Sequence, residues 1–232
     1  MADTPPLVEQ AFTRLRKDML VGTLAAGTKL KIEELQQAYG FSSSPLREAL
    51  SRLTQEGLVR SDERRGFRVA AVSAEDLADI TRMRLMLDVR ALVDAMACGT
   101  DAWEAAIVAA FYRLEKVESR LEGPTALDEE WSRLHRDFHM SLIAACPSDR
   151  HRSWSASLFD QAERYRRISS TNRKGSRRKS NEHKRLMEAT LRRDAELASG
   201  MLREHISGTQ RNVEAVLRSD WATQLFLKES KR

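Results

Sequence analysis

Ser42-Ser43-Ser44-Pro45-Leu46-Arg47-Glu48-Ala49-Leu50-Ser51-Arg52-Leu53 is the stretch whose reading decides the fold. Proline is accepted in a helix only within its first turn, where its missing N–H is not needed, so Pro45 marks a helix start and Ser44 is the expected N-cap. The free N–H groups and positive dipole at that end suit phosphates and base edges, with Arg47 and Arg52 further along the helix. After Gly57, short apolar runs around Val59 and Phe67 to Ala70 flank Asp62-Glu63-Arg64-Arg65-Gly66, the pattern of a small hairpin with a charged tip. Upstream, Val8, Phe12, Leu15, Met19 and Leu20 recur at helical spacing, and Ile32 to Tyr39 reads as a second short helix stopped by Gly40. Three helices and a hairpin in this order predict a winged helix-turn-helix that reads DNA.

The segment from Leu7 to Val72 resembles the DNA-binding domain of the GntR family of bacterial transcription regulators. The family's usual Ser-Arg-Thr-Pro-Val-Arg-Glu-Ala-Leu turn stands here as Ser42 to Leu50. Ser43 replaces an arginine that helps to read the operator, which implies a changed operator sequence under the same binding mode. The expected DNA-contacting residues are Ser42, Ser43, Ser44, Pro45, Arg47, Arg52, Arg64, Arg65 and Gly66.

With 232 residues, the chain has room for this small domain and a larger one with its own core. The net charge of +5 fits a nucleic-acid partner but is weak evidence, because both signs are interspersed along the helices. No apolar run reaches membrane-spanning length and no secretory leader pattern opens the chain, so a cytoplasmic protein without a membrane partner is expected. Cys98 and Cys146 lie among apolar residues without a paired-cysteine motif and read as reduced core residues.

After Val72 the chain turns rich in alanine, leucine, arginine and glutamate. Starts at Ser73, Asp101 and Thr125 and breaks at Gly99, Gly123, Pro147, Asn172 to Ser180 and Ser199-Gly200 divide it into six or seven helices. The expected fold is therefore mainly α: a winged helix-turn-helix over residues 1–72, an all-helical effector-binding and dimerisation bundle over 73–222, and a tail over 223–232. The basic run Arg173 to Lys179 reads as a solvated loop between helices.

Four of the five histidines fall on apolar stripes. His135 and His139 are one turn apart on a face shared with Leu142, Ile143 and Cys146; His183 aligns with Leu186 and Met187, and His205 with Met201 and Leu202. A single such histidine is ordinarily a hydrogen-bonded core residue, but four buried imidazoles would each cost roughly 1–3 kcal/mol without partners, which makes a shared metal the more economical reading. Imidazole suits zinc, nickel, copper or iron. His151, between two arginines, reads as surface. Arg84 shares a stripe with Leu77, Ile80, Leu87 and Ala91, so it needs an anion, either a bound ligand or Asp88 one turn on.

Residues from about Asp76 to Leu217 are similar to the helical FCD effector domain of the FadR subfamily. That resemblance implies His139, His183 and His205 as a metal triad and His135, in place of the usual acidic ligand, as a fourth ligand, with zinc as the expected ion and nickel as the alternative. It also implies that Arg84 faces an effector; Arg164, Tyr165 and Arg167 form a second basic-aromatic group, with Arg164 and Tyr165 as further effector-binding candidates. Trp103-Glu104, Ala144-Ala145-Cys146, Arg164-Tyr165-Arg166 and Leu191 to Asp194 resemble the glutarate-responsive repressors of this subfamily. The expected function is that of a regulator binding double-stranded operator DNA as a homodimer, a repressor released by a small carboxylate. The competing expectations are a metal-dependent hydrolase fused to a DNA-binding head and a regulator for which the metal itself is the signal. The hydrolase is disfavoured because Asp137, Glu182 and Glu204 lie off the histidine faces and leave no placed general base.

Overall fold

The computed structural model describes residues 5–62, 66–121, 128–170 and 180–217. The chain divides into two compact units between Ser73 and Ala74. In the first, α1 (Leu7–Val21) buries Ala11, Phe12, Leu15 and Met19 at helical spacing and ends at Gly22, whose φ of 88° an L side chain rarely adopts. Helix α2 (Ile32–Tyr39) stops in the same way at Gly40. Helix α3 (Ser43–Gln55) turns Leu46, Leu50 and Leu53 wholly inward. Each such leucine stabilises the unit by roughly 1.5–3 kcal/mol through removal from water. Gly57 then lets the chain reverse, with the Leu58 N–H donating to the Leu53 carbonyl at 3.0 Å.

Strands β1 (Lys29–Leu30), β2 (Val59–Asp62) and β3 (Gly66–Val69) form an antiparallel sheet in the order β1-β3-β2. The register pairs Leu30 with Phe67 and Val59 with Val69. The hairpin is thus a three-stranded wing, because two residues before α2 close its other edge. A two-residue strand carries no periodicity and is invisible in the sequence.

The start of α3 differs from expectation: Ser42, in extended conformation, is the N-cap, and Ser43 and Ser44 are already helical. The first turn needs no intrahelical N–H, so Pro45 fits at its third position as well as at its first.

The second unit consists of α4 (Ala74–Cys98), α5 (Asp101–Glu118), α6 (Glu129–Leu142), α7 (Asp149–Ser170), α8 (Ser180–Leu191) and α9 (Ala195–Leu217). α5 lays Trp103, Ile107, Phe111 and Leu114 against Trp131, Leu134, Phe138 and Leu142 of α6, while α4 packs on α7 and α9. Gly99 permits the α4–α5 turn to close, since a Cβ there would lie 2.0 Å from the Trp103 ring. None of the described helices is long and apolar enough to cross a membrane.

Several expected boundaries shift. Thr100, not Asp101, precedes α5. Asp128 caps α6 by accepting from the Trp131 N–H at 2.7 Å, in place of Thr125, which lies outside the described residues. Ser199-Gly200 lies inside α9; glycine in a helix interior costs only about 1 kcal/mol relative to alanine. The break falls instead at Arg193, with φ 56°. Its guanidinium holds this conformation by donating to the Met96 carbonyl and, at 2.8 Å each, to the Gly99 carbonyl and the Glu104 carboxylate. Cys146 is a core residue as expected, whereas Cys98 at the end of α4 is exposed. The Arg173–Lys179 run and the 223–232 tail lie outside the described residues.

Candidate metal centre and DNA-reading helix

α6 contributes His135 and His139 one turn apart, α8 contributes His183 and α9 contributes His205. One donor atom from each lies within 4.8 Å of the others. His135 and His183 are fully buried and His139 nearly so. The Nε2 atoms of His135 and His139 are 3.1 Å apart. Nitrogens about 2.0–2.1 Å from one ion stand roughly 3.0–3.4 Å from each other, so this pair has the spacing of two ligands. The His139 pKa is held well below the ordinary histidine value by burial first, then by His205, His183, Arg84 and Arg166. A neutral imidazole with an available lone pair is what a transition metal requires. The donors present therefore fit a divalent transition ion.

Carboxylates back two of the rings. Glu118 Oε1 lies 3.5 Å from His183 Nδ1, and Glu182 Oε2 lies 3.6 Å from His205 Nδ1. Each favours the tautomer with its proton on Nδ1 and the Nε2 lone pair free to ligate. Glu118 is itself oriented by the Trp131 indole N–H at 2.9 Å. His135 is backed by a cation instead: Arg166 Nη1 sits 2.9 Å from its Nδ1, an arrangement that leaves a neutral ring's proton on Nε2. Glu118 lies on α5 and Arg166 on α7, far in sequence from the rings they touch, and no local pattern announces either.

Arg84 donates to Asp88 at 2.9 Å, both nearly fully buried, so the intrahelical ion pair is what the structure shows for this arginine. Burial pushes the Asp88 carboxyl up, with Arg84 pulling it back. The Arg84 and Arg166 guanidiniums both lie over Phe159, 5.0 and 4.4 Å from its centroid. Arg166 and Arg167 share one carboxylate, Glu163, which also accepts from Ser132 at 3.0 Å. Burial brings the Arg166 pKa down to about 10; Glu163 opposes this and Arg84 adds to it. Arg164 and Tyr165 point elsewhere: the Tyr165 hydroxyl donates to Asp76 at 2.6 Å, and the buried Arg164 is supported by Tyr165 and Asp76. Successive helical residues are about 100° apart, which separates Arg164 and Tyr165 from Arg166.

In the first unit, Ser42, Ser44 and Arg47 are exposed at the start of α3, and Arg47 Nε donates to Ser43 Oγ at 3.2 Å. Pro45 is buried. Arg52 turns back onto α1, where it meets Glu9 at 2.8 Å and covers the Phe12 ring at 4.1 Å. Gly66 opens β3 with φ 86°; Arg64 and Arg65 lie outside the described residues.

Comparison with known proteins agrees with both halves. Residues 7–69 match the profile of bacterial regulatory proteins of the gntR family, and residues 79–208 match that of the FCD domain. The chain is 37% identical over 210 residues to the HTH-type transcriptional regulator BphR of Paraburkholderia xenovorans, covering 90% of this chain and 86% of that one. It is 34% identical over 196 residues to the HTH-type transcriptional repressor GlaR of Escherichia coli, covering 83% and 89%. Among solved structures it shares the fold of E. coli McbR/YncC, with a TM-score of 0.78 at 19% identity over 93% of this chain and all of that one. These relatives are transcription regulators, not enzymes, which removes the hydrolase alternative. The chain belongs to the GntR family of DNA-binding transcription regulators, with an FCD domain as its second half.

Proposed function

We propose that this regulator is a homodimeric repressor, released from its operator by a short dicarboxylate that binds beside a metal ion in the FCD domain. The supporting observation is a buried guanidinium beside a candidate metal site: Arg166, met by Glu163 and with Asp160 nearby, adjoins a four-imidazole cluster fit for a divalent ion. A divalent ion's charge added beside that guanidinium would favour an anion in a site largely shielded from water.

His139, His183 and His205 are the proposed ligands, with zinc the favoured ion and nickel the alternative. His135, held by Arg166, presents its Nε2 proton to the cluster and would become the fourth ligand only if Arg166 turned away and the proton moved to Nδ1, freeing Nε2. A bound divalent ion supplies a Lewis-acidic charge centre for one carboxylate of the effector. Arg166 is the proposed partner for the second carboxylate, because a guanidinium takes a carboxylate through two parallel hydrogen bonds. Arg84 contributes field more than contact, its own charge being met by Asp88. Arg164 and Tyr165 are proposed to brace the start of α4 through Asp76, one step removed from the effector. Resemblance to CsiR-like repressors points to glutarate or 2-hydroxyglutarate.

Ser42, Ser43, Ser44 and Arg47, with Gly66 and the wing arginines Arg64 and Arg65, are the proposed DNA contacts. Pro45 sets the start of α3, and Arg52 acts from within by fixing α3 on α1. A winged helix reads half an operator, and twofold pairing supplies the other half. An inducer must bind the DNA-free state more tightly than the DNA-bound state. Fluorescence anisotropy of the metal-loaded protein on DNA selected from a random pool tests this: glutarate should weaken binding at least tenfold, and unchanged affinity at saturating glutarate would refute the reading.

A further inference from the structure

Away from the four histidines, a second group of ligating side chains gathers where α4 meets the α6–α7 turn. Asp94 comes from α4, Cys146 from the turn and His151 from the first turn of α7, with one donor atom of each within 4.8 Å of the others. Cys146 is fully buried, yet its thiol has no hydrogen-bond partner among the described residues; the hydrogen bonds at this residue are made by its backbone, the N–H donating to the Ile143 carbonyl and the carbonyl accepting from Arg152. His151 was expected at the surface. Its Nε2 is nevertheless buried and without a partner among the described residues. Asp94 is about a quarter exposed and is tied on its outer side to Arg90 at 3.0 Å. A thiol, an imidazole and a carboxylate are thus drawn together without bonding to one another.

We infer that Asp94, Cys146 and His151 form a second, thiolate-containing site for a divalent transition ion, zinc above all. The donor set argues for the ion: thiolate and imidazole are the ligands zinc prefers, and a carboxylate completes a three-residue set that leaves one position for water. Around a zinc ion, sulfur at about 2.3 Å and nitrogen at about 2.0 Å lie roughly 3.6 Å apart, so donors already within 4.8 Å of one another need to close by no more than about an ångström. Small rotations of the Cys146 and His151 side chains cover that distance, and the part-exposed Asp94 lies on the side from which an ion would enter. On binding, the Cys146 thiol releases its proton to solvent and the ion takes up the resulting thiolate. The ion then pins α4 to the turn that follows the histidine-bearing α6, a non-covalent clasp across segments about fifty residues apart in the chain.

Cobalt(II) distinguishes this site from the histidine cluster, because only a thiolate ligand gives an intense near-ultraviolet sulfur-to-cobalt charge-transfer band. Titrating the full chain with cobalt(II) should produce that band in the wild type, in Cys98→Ser and in the His183→Ala, His205→Ala double variant. His151→Ala and Cys146→Ser should each lose it. His151→Ala guards against misfolding at the fully buried Cys146, and it should retain the melting temperature of the metal-free wild type. A wild type that shows no band at saturating cobalt, a band that survives His151→Ala, or one that vanishes with Cys98→Ser overturns the site, whatever the histidine cluster binds.

Discussion

In the first unit the buried set is apolar: Leu15, Leu46, Leu50, Leu53 and Leu58 sit with Phe12 and Phe41, and the charged side chains lie outside. Among the described residues every buried polar or charged side chain comes after Ser73, including Arg84, Asp88, His135, His139, Glu163, Arg164, Arg166, Arg167 and His183. Burying ions weakens a core unless each is met by a partner, so the second interior depends on its internal pairs. The contrast separates two kinds of interior: one unit has an apolar core with its charges outside, and the other carries a charged network within.

The largest expected departure comes from cutting the charge network inside the second unit. Arg84→Met leaves the Asp88 carboxylate buried without its ion-pair partner and should destabilise the protein by about 3–5 kcal/mol, whereas Arg84→Met with Asp88→Leu should recover most of that loss. Urea unfolding measures both, and a single variant as stable as wild type would show the pair to be incidental.

Surface changes in the first unit should behave in the opposite way. Arg47→Ala should weaken specific DNA binding by roughly 1–3 kcal/mol and leave the melting temperature unchanged. A variant with wild-type operator affinity would remove α3 as the reading helix.

Acid should act on the second unit before the first. The folded His139 pKa lies below 6.5, so above that value neither the folded nor the unfolded form carries the proton. As pH falls below about 6.5 the unfolded chain gains a proton that the folded one refuses, and stability declines toward the lower folded value. Metal-free wild type should therefore lose melting temperature below pH 6.5, with a shallower slope in His139→Leu; equal slopes would contradict the burial argument. The smallest effect expected is that of Arg52→Met. Its ion pair with Glu9 is part-exposed and its stacking on Phe12 is partly replaced by methionine, so thermal unfolding should show a loss of no more than about 1 kcal/mol. A loss several times larger would make Arg52 a structural keystone of the first unit.

The same contrast explains what the sequence discloses. Helix α2 is legible from Ile32 to Tyr39 because an apolar stripe runs straight into Gly40, and the four histidines are legible because helical spacing puts each on an apolar face. Local rules fail where a tertiary contact decides the outcome. Arg193 ends a helix in a left-handed conformation because carbonyls from the α4–α5 turn receive its guanidinium, and Gly200 continues a helix because neighbouring turns hold it. Glu118 and Arg166 escape notice for the same reason, since each meets its histidine across the bundle. Of Arg164, Tyr165 and Arg166, neighbours in one run, only the register of α7 determines which one faces the histidine cluster.

Isothermal calorimetry tests the central claim most directly, with glutarate and pentanoate titrated into metal-loaded and chelator-stripped protein. The account predicts binding of glutarate to the loaded form alone, at least tenfold tighter than pentanoate, which is about 1.4 kcal/mol. Equal affinity for the two acids, or glutarate binding that survives removal of the metal, would contradict it.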